Sequence, residues 1–211
     1  NMDRDRKEYY RDVGDYYNNH QEDLNLLLGK NEEELLLMLH NQETALSLKG
    51  ISFLGTLTPE MRGLDAGCGR GGSSVLINKI HDCTMEGVSL SDYQVKFANR
   101  IANELNISDK IRFYLANMLE LPFKDSVFDF IWACESTEHI PNLSIIFTEF
   151  ARVAKEGTSL VIIVGCSNPE NPRAPELIKG IDEWYHMLIH PTQECLVAAQ
   201  NTGWKLESNI D

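Results

Sequence analysis

From Arg62 onward, short apolar runs alternate with segments whose hydrophobic residues recur every three or four positions. The runs at 63–67, 84–89, 111–115, 128–134, 159–165 and 204–209 predict strands. Between them, 72–80, 92–105, 144–153 and 192–201 carry the helical period. Strands apolar throughout and separated by helices imply a mostly parallel sheet covered on both faces, an α/β fold of Rossmann-like type. Ligands of such sheets sit beyond the carboxyl ends of the strands.

The first 58 residues differ. Tyr9, Tyr10, Tyr16 and Tyr17 interleave with Asp and Asn, which predicts a short helix near 6–17, broken at Asn18-Asn19. With Val13 the tyrosines form a stripe at helical spacing, but residues 3–19 hold too few apolar side chains for a core of their own. That stripe must be buried on the substrate side of its own domain or on a neighbouring subunit. The expectation is an arm that closes over the acceptor and, through a hinge at 18–23, is exchanged between chains of a homo-oligomer. A second helix is expected over 31–54, where Leu35, Leu39, Leu46 and Phe53 recur behind Glu32-Glu33-Glu34. The organisation expected is therefore a helical arm and cap at 1–58 and an α/β domain at 59–211. The chain stops directly after the sixth strand candidate and passes abruptly from Gly29-Lys30 into Asn31. A segment near Lys30 and a strand beyond Asp211 are therefore expected to be lacking.

Composition narrows the partners. With 211 residues and 43% of them hydrophobic, the chain is ample for a core. Its 19 Lys+Arg against 32 Asp+Glu give a net charge of −13. So acidic a chain is a poor general binder of nucleic acid or anionic membrane, since each phosphate contact needs a cation. No apolar run approaches the roughly 20 residues that span a bilayer. Five cysteines, without C-x-x-C pairs, suit reduced thiols in a cytoplasmic protein.

The chemistry begins at Asp65-Ala66-Gly67-Cys68-Gly69-Arg70-Gly71, after a strand and opening a helix. Glycines let backbone turn tightly and approach a ligand. A bare glycine turn is the alternative, and the acidic residue stands two positions before the first glycine, unlike the dinucleotide fingerprint. This D-x-G-x-G-x-G run resembles motif I of class I S-adenosylmethionine (SAM) methyltransferases. The resemblance implies SAM, with S-adenosylhomocysteine as product, and gives Asp65 a polar role near the cofactor's amino-acid end, with Gly67 and Gly69 beneath it. The second strand ends Gly87-Val88-Ser89-Leu90-Ser91-Asp92-Tyr93-Gln94. It is similar to the branch with tocopherol and cyclopropane-forming methyltransferases, which implies that Ser89, Leu90 and Gln94 serve the ribose. A Gln amide both donates and accepts, so it can replace a carboxylate there. Ser91 also suits a helix cap. Asn117-Met118 falls where the family holds the adenine.

Strand four runs into Cys134-Glu135-Ser136-Thr137-Glu138-His139. Carboxylates and an imidazole at a central strand end stand where an acceptor meets the methyl group, and burial would raise a base there toward neutrality. A charged Glu135 directly after an apolar strand needs a function; Glu138 and His139 serve equally well as loop braces. Together with Tyr16-Tyr17-Asn18-Asn19, 64–72, 86–94, 112–119, 132–137 and Ile181-Asp182-Glu183 through Ile189-His190-Pro191, these residues resemble geranyl diphosphate and related terpenoid C-methyltransferases, teleocidin-type enzymes included. The resemblance implies methylation of an olefinic carbon, with Glu135 stabilising and deprotonating the resulting cation. It implies acceptor contacts from Tyr16, Tyr17, Asn18, Trp184, Tyr185 and His190, the aromatic faces and water exclusion shielding the cation. His139 stands where diphosphate-using members carry a tyrosine, and could finish a cyclisation. A diphosphate needs Mg²⁺ or several cations, yet only Arg173 and Lys179 are basic near the acceptor loops. The isoprenoid acceptor is thus either a prenyl diphosphate, with Mg²⁺, or a neutral prenylated metabolite such as a prenyl indole alkaloid. Two alternatives remain: a quinone or tocopherol ring methyltransferase, and a non-catalytic SAM-binding protein. His186 and His190 share a helical spacing without a completing carboxylate or Cys, so no protein-built metal site is expected.

Overall fold

The computed structural model describes residues 2–19, 43–168, 170, 175–176, 178–180 and 187–210, with side chains from residue 10 in the first helix and from 46 in the second. In chain order the elements are α1 (Met2–Asn19), α2 (Glu43–Ile51) with a 3-10 turn Ser52–Leu54, β1 (Arg62–Ala66), α3 (Gly72–His81), β2 (Thr84–Ser89), α4 (Asp92–Glu104) and β3 (Ile111–Leu115). There follow β4 (Phe128–Cys134), a 3-10 turn Thr137–His139, α5 (Leu143–Val153), β5 (Ala154–Ile163) and α6 (Thr192–Asn201).

Among the described residues the sheet has five strands, all parallel, in the order β3-β2-β1-β4-β5. The chain turns back between β1 and β4, so the loops leaving these two strands diverge and open a crevice at their carboxyl ends. Both faces of the sheet are covered. On one, Leu64, Val88, Ile131 and Ala133 pack with Ile146, Phe147 and Phe150 of α5, and Tyr10 of α1 joins them. On the other, Met85, Ile111, Phe130 and Trp132 meet Ile51, Leu54, Val75, Ile77 and Ala98. The central strands β1, β2 and β4 are apolar because helices cover them on both faces, while the edge strands β3 and β5 carry exposed residues.

Three expectations are corrected. β5 begins at Ala154, directly from α5, not at 159; Phe128 pairs with Ala154, and after a register shift Phe130 pairs with Ser159, so this entry is irregular. Residues 204–209 form no strand. A strand needs a ladder partner, and among the described residues β5 is the edge, while Trp204 folds back to donate from Nε1 to the Phe147 carbonyl at 3.1 Å. In the second helix Leu46 and Phe53 are exposed, and the buried face is Ser47, Gly50, Ile51 and Leu54. The span 31–42 lies outside the described residues.

Gly50 sets that face. A Cβ there would stand 2.7 Å from both Trp132 Cη2 and Ile163 Cδ1. In an exposed helix Gly→Ala stabilises by about 1 kcal/mol. Here Gly50→Ala is expected to reverse the sign and destabilise by roughly 1–3 kcal/mol through overpacking. Urea denaturation checks this; a more stable variant would refute the close approach.

Candidate active site

The crevice is built from three strand ends. After β1 the chain turns at Gly67 (φ 82°), and the N–H groups of Gly67 and Cys68 both donate to the Val88 carbonyl, at 3.0 and 2.9 Å. A Cβ on Gly67 would lie 2.3 Å from Ser136 Cβ and 3.0 Å from Met118 Cε. The loops after β1, β3 and β4 therefore converge on Gly67. Ser136 Oγ donates to the Ala66 carbonyl at 2.6 Å, tying β1 to β4. Gly69 (φ 52°) is different: a Cβ there would meet nothing within 4 Å. It borders open space, as a backbone that passes beneath a ligand must.

Asp65 is buried and accepts from Ser74 Oγ at 2.6 Å. Burial raises its carboxyl to about 6 against the lowering effect of that bond. Beyond β2, the buried Ser89 Oγ donates to Gln94 Oε1 at 2.9 Å and accepts from the Ser91 N–H at 3.1 Å. Ser91 caps α4 by accepting from the Gln94 N–H at 3.2 Å, as its position implied. Leu90 lies under α1: a Cβ on Gly14 would stand 2.8 Å from its carbonyl oxygen. Asn117 Oδ1 accepts from the Leu119 N–H at 3.0 Å and shapes the turn that presents Met118.

At the end of β4, Glu135 is exposed, with its backbone in the left-handed region (φ 47°) and its N–H donated to the Ile163 carbonyl at 2.8 Å. Such a conformation is strained for a non-glycine residue and clusters at functional sites. Ser136, Thr137, Glu138 and His139 are all buried. The carboxyl that burial raises is therefore Glu138, helped by the nearby Glu135 charge, while the Gly165 N–H, donated to Oε1 at 3.0 Å, opposes the rise. Its Oε2 has no partner among the described residues. The sequence favoured Glu135 for the reaction, but which of the two acids is buried depends on the distant segments at 165 and 188. The Leu188 N–H is donated to the Glu138 carbonyl at 2.5 Å.

Helix α1 closes one side. The Tyr17 hydroxyl lies 2.9 Å from His139 Nε2, with the rings edge-to-face at 5.6 Å, and Tyr16 packs edge-on against Tyr17 at 5.3 Å. Burial, then Tyr16, Glu138 and Glu135, hold the Tyr17 phenol above its usual range, so it stays protonated, and its hydroxyl shares a proton with His139 Nε2 in the direction that the imidazole tautomer sets. Asn18 Oδ1 accepts from Ser91 Oγ at 2.7 Å and from the Tyr93 N–H at 3.3 Å. Asn18 thus bonds to the loop beside Ser89 and Gln94, a contact sequence reading missed because the residues are far apart in the chain. The stripe buries Tyr10 and Val13 on its own domain. His190 is set apart: its Nε2 lies 2.9 Å from the Ile140 carbonyl and its Nδ1 3.4 Å from Glu194, so it braces the β4 loop. Trp184, Tyr185 and Arg173 lie outside the described residues. Among those described, no helix is long and apolar enough to cross a membrane.

A parallel sheet of this order, a glycine turn bordering open space at the first strand, and a serine–glutamine pair at the second define a class I SAM-dependent methyltransferase. A family model described as a methyltransferase domain matches residues 64–162. Geranyl diphosphate 2-C-methyltransferase of Streptomyces lasalocidi is 32% identical over 96% of this chain and 76% of its own length. Geranyl diphosphate C-methyltransferase of Streptomyces coelicolor A3(2), solved with Mg²⁺, geranyl diphosphate and S-adenosyl-L-homocysteine, superposes with a TM-score of 0.80 at 32% identity, over 92% of this chain and 78% of that one. A probable tocopherol O-methyltransferase of Oryza sativa subsp. japonica is 37% identical, but over only 54% of this chain and 32% of its own. The chain belongs to the SAM-dependent C-methyltransferase family that includes the geranyl diphosphate C-methyltransferases. Its residues fit that cofactor: Gly69 leaves room, Asp65 is a buried acceptor, and Ser89 and Gln94 are polar groups held at a strand end.

The raised Asp65 carboxyl has a measurable consequence. Its proton is held more tightly in the folded than in the unfolded chain, so the stability it contributes is full below about pH 4 and is lost as pH rises through 6. Asp65→Asn keeps an acceptor for Ser74 and abolishes that loss. Its stability relative to the parent is expected to climb from near zero at pH 4 to at most about 3 kcal/mol at pH 7. Denaturation curves that stay parallel across this range would contradict the assignment.

Proposed function

We propose that the protein methylates an olefinic carbon of an isoprenoid chain, and that the cation so formed is quenched by loss of a proton or by cyclisation. The observation that carries this reading is the grouping at the end of β4: Glu135, Glu138, His139 and the paired rings of Tyr16 and Tyr17. An alkene is a weak nucleophile that needs no base before it reacts, but a carbocation remains when it does. Such a site must supply aromatic faces, negative charge, shelter from water and an acceptor for one proton.

SAM, when bound, supplies an electrophilic methyl group on its sulfonium. Asp65, Gly67, Gly69, Ser89, Leu90, Gln94, Asn117 and Met118 are the residues that would hold it. Tyr16 and Tyr17 present ring faces and edges to the isoprenoid, with Asn18 fixing their helix to the cofactor side. Glu135, exposed at the end of β4, meets the cation and takes its proton. His139 stands behind the Tyr17 hydroxyl, so a proton reaches it through that hydroxyl, an arrangement suited to a cyclising product.

The two Streptomyces relatives are geranyl diphosphate C-methyltransferases, and this supports a prenyl acceptor. Two carboxylates at the site and a net charge of −13 favour a neutral prenylated compound such as a prenyl indole. A prenyl diphosphate is the other acceptor, and would bring Mg²⁺ with it, because magnesium is typically held by substrate phosphates and only one or two carboxylates. Incubation with SAM and either geranyl diphosphate or a prenylated indole, with and without Mg²⁺, separates these. Methylation of neither compound, nor of any other isoprenoid offered, would overturn the reading.

Glu135→Gln keeps shape and removes charge. It is expected to bind cofactor as before and to lose at least roughly tenfold in turnover, about 1.4 kcal/mol of barrier; wild-type turnover would exclude the role. His139→Ala is expected to alter which product forms more than the rate of methyl transfer. The arm at 1–58 is proposed to cap the acceptor and to be exchanged in a homo-oligomer. Deleting residues 1–19 should lower the mass measured by light scattering and abolish turnover, leaving SAM affinity largely intact. Unchanged mass would refute the exchange.

A further inference from the structure

Two cysteines meet where the chain returns to the end of β5. Cys166 follows Gly165 and is exposed, while Cys195, in the first turn of α6, is half-buried against the core layer of α5. Backbone holds the two segments together. Ser167 forms a parallel bridge with Pro191, its N–H donates to the His190 carbonyl at 3.0 Å, and the Cys195 N–H donates to Pro191 at 3.3 Å. The bridge sets Cys166, one residue before Ser167, beside the first turn of α6, where Cys195 stands four residues after Pro191. Cys68 and Cys83 are buried and Cys134 half-buried, so Cys166 is the thiol open to solvent among the five.

We propose that Cys166 and Cys195 are a reversible dithiol–disulfide site, oxidised by a low-molecular-weight disulfide such as oxidised glutathione. The Cys166 thiolate attacks one sulfur of that disulfide; its S–S bond breaks, one small thiol leaves, and a mixed disulfide forms. The Cys195 thiolate then attacks the Cys166 sulfur and expels the second small thiol. The two protons lost by the protein end on the two released thiols. The protein gives up two electrons and the small disulfide takes them.

Exposure makes Cys166 the first to react. Burial, and then the neighbouring Cys166, push the Cys195 thiol up to about 12, so its thiolate is scarce at neutral pH. It suits the second step, where proximity replaces concentration. The stretch between the thiols ends in residues that brace the site. Leu188 donates to the Glu138 carbonyl, His190 lies against the Ile140 carbonyl, and Gly165, just before Cys166, donates to the Glu138 carboxylate. A 166–195 disulfide therefore clamps both ends of the segment that holds Glu138 and His139 in place, whichever isoprenoid is the acceptor.

The test uses the full chain, reduced and then treated with oxidised glutathione, its thiols counted after denaturation. The five thiols are expected to fall to three, with one peptide pair joining Cys166 to Cys195 and full recovery on adding dithiothreitol. The oxidised protein should unfold roughly 10 °C higher, as closing a loop of this length implies. Cys195→Ser is expected to stop at a mixed disulfide on Cys166, and Cys166→Ser to keep its remaining thiols over the same time. A parent protein that keeps all five thiols, stops at a stable mixed disulfide, or links only between chains would overturn the proposal.

Discussion

The contact between the β1 and β4 loops at Gly67 and Ser136 is the constraint on which the site depends. Gly67 lies so close to Ser136 that no side chain fits between them, and the Ser136 hydroxyl is tied to the Ala66 carbonyl at 2.6 Å. A doubly wound sheet separates these loops at its switch point, which is why a crevice exists at all. The Ser136 tie closes the floor of that crevice, leaving Gly69 at its open side and Glu135 on the other rim. A β-carbon on Gly67 would force the floor apart before it touched any ligand. The first glycine of the motif is thus required by the protein's own packing, and Gly69 is the one whose vacancy faces outward.

Helix α1 rests on that floor by two polar contacts at adjacent residues. Tyr17 reaches His139 on the β4 side, and Asn18 reaches Ser91 and Tyr93 on the β2 side. Adjacent residues on a helix point about 100° apart, so one turn of α1 reaches both the β4 side and the β2 side of the crevice. Any shift of α1 must break the phenol–imidazole bond and uncap part of α4 at once.

Local pattern served well where contacts are local. β2, β3, β4 and α6 have the extents that their apolar runs and periods imply, because β2 and β4 lie inside the sheet and β3 and α6 each turn one face to the core. It failed where a distant partner decides. β5 starts early because Phe128 recruits Ala154 before the register settles, and 204–209 alternates like a strand but has no described ladder to join. The exposed Leu46 and Phe53 follow from Gly50 seated on Trp132, a contact no helical wheel contains. In the site, the glycine motif and the serine–glutamine pair were legible because they lie within a few residues of each other. The division of labour between Glu135 and Glu138 was not, since Gly165 and Leu188 bury one and leave the other at the rim.

The site is assembled from groups that weaken the fold. Asp65 is held up to about 6 by burial, Glu138 is raised with one oxygen unpartnered among the described residues, and Glu135 occupies a backbone region that glycine would take without strain. A stability-driven sequence would place Asn, Gln and Gly at these positions. That all three remain acids, at the carboxyl ends of the two strands flanking the switch point, argues that their charge is used. On the proposed reading, negative potential at the Glu135 rim has little to offer a neutral ground-state olefin and interacts strongly with positive charge that exists only after the carbon has been methylated. The unfavourable electrostatics of the protein alone and the stabilisation of that transient cation would then be the same interaction, read with and without its partner.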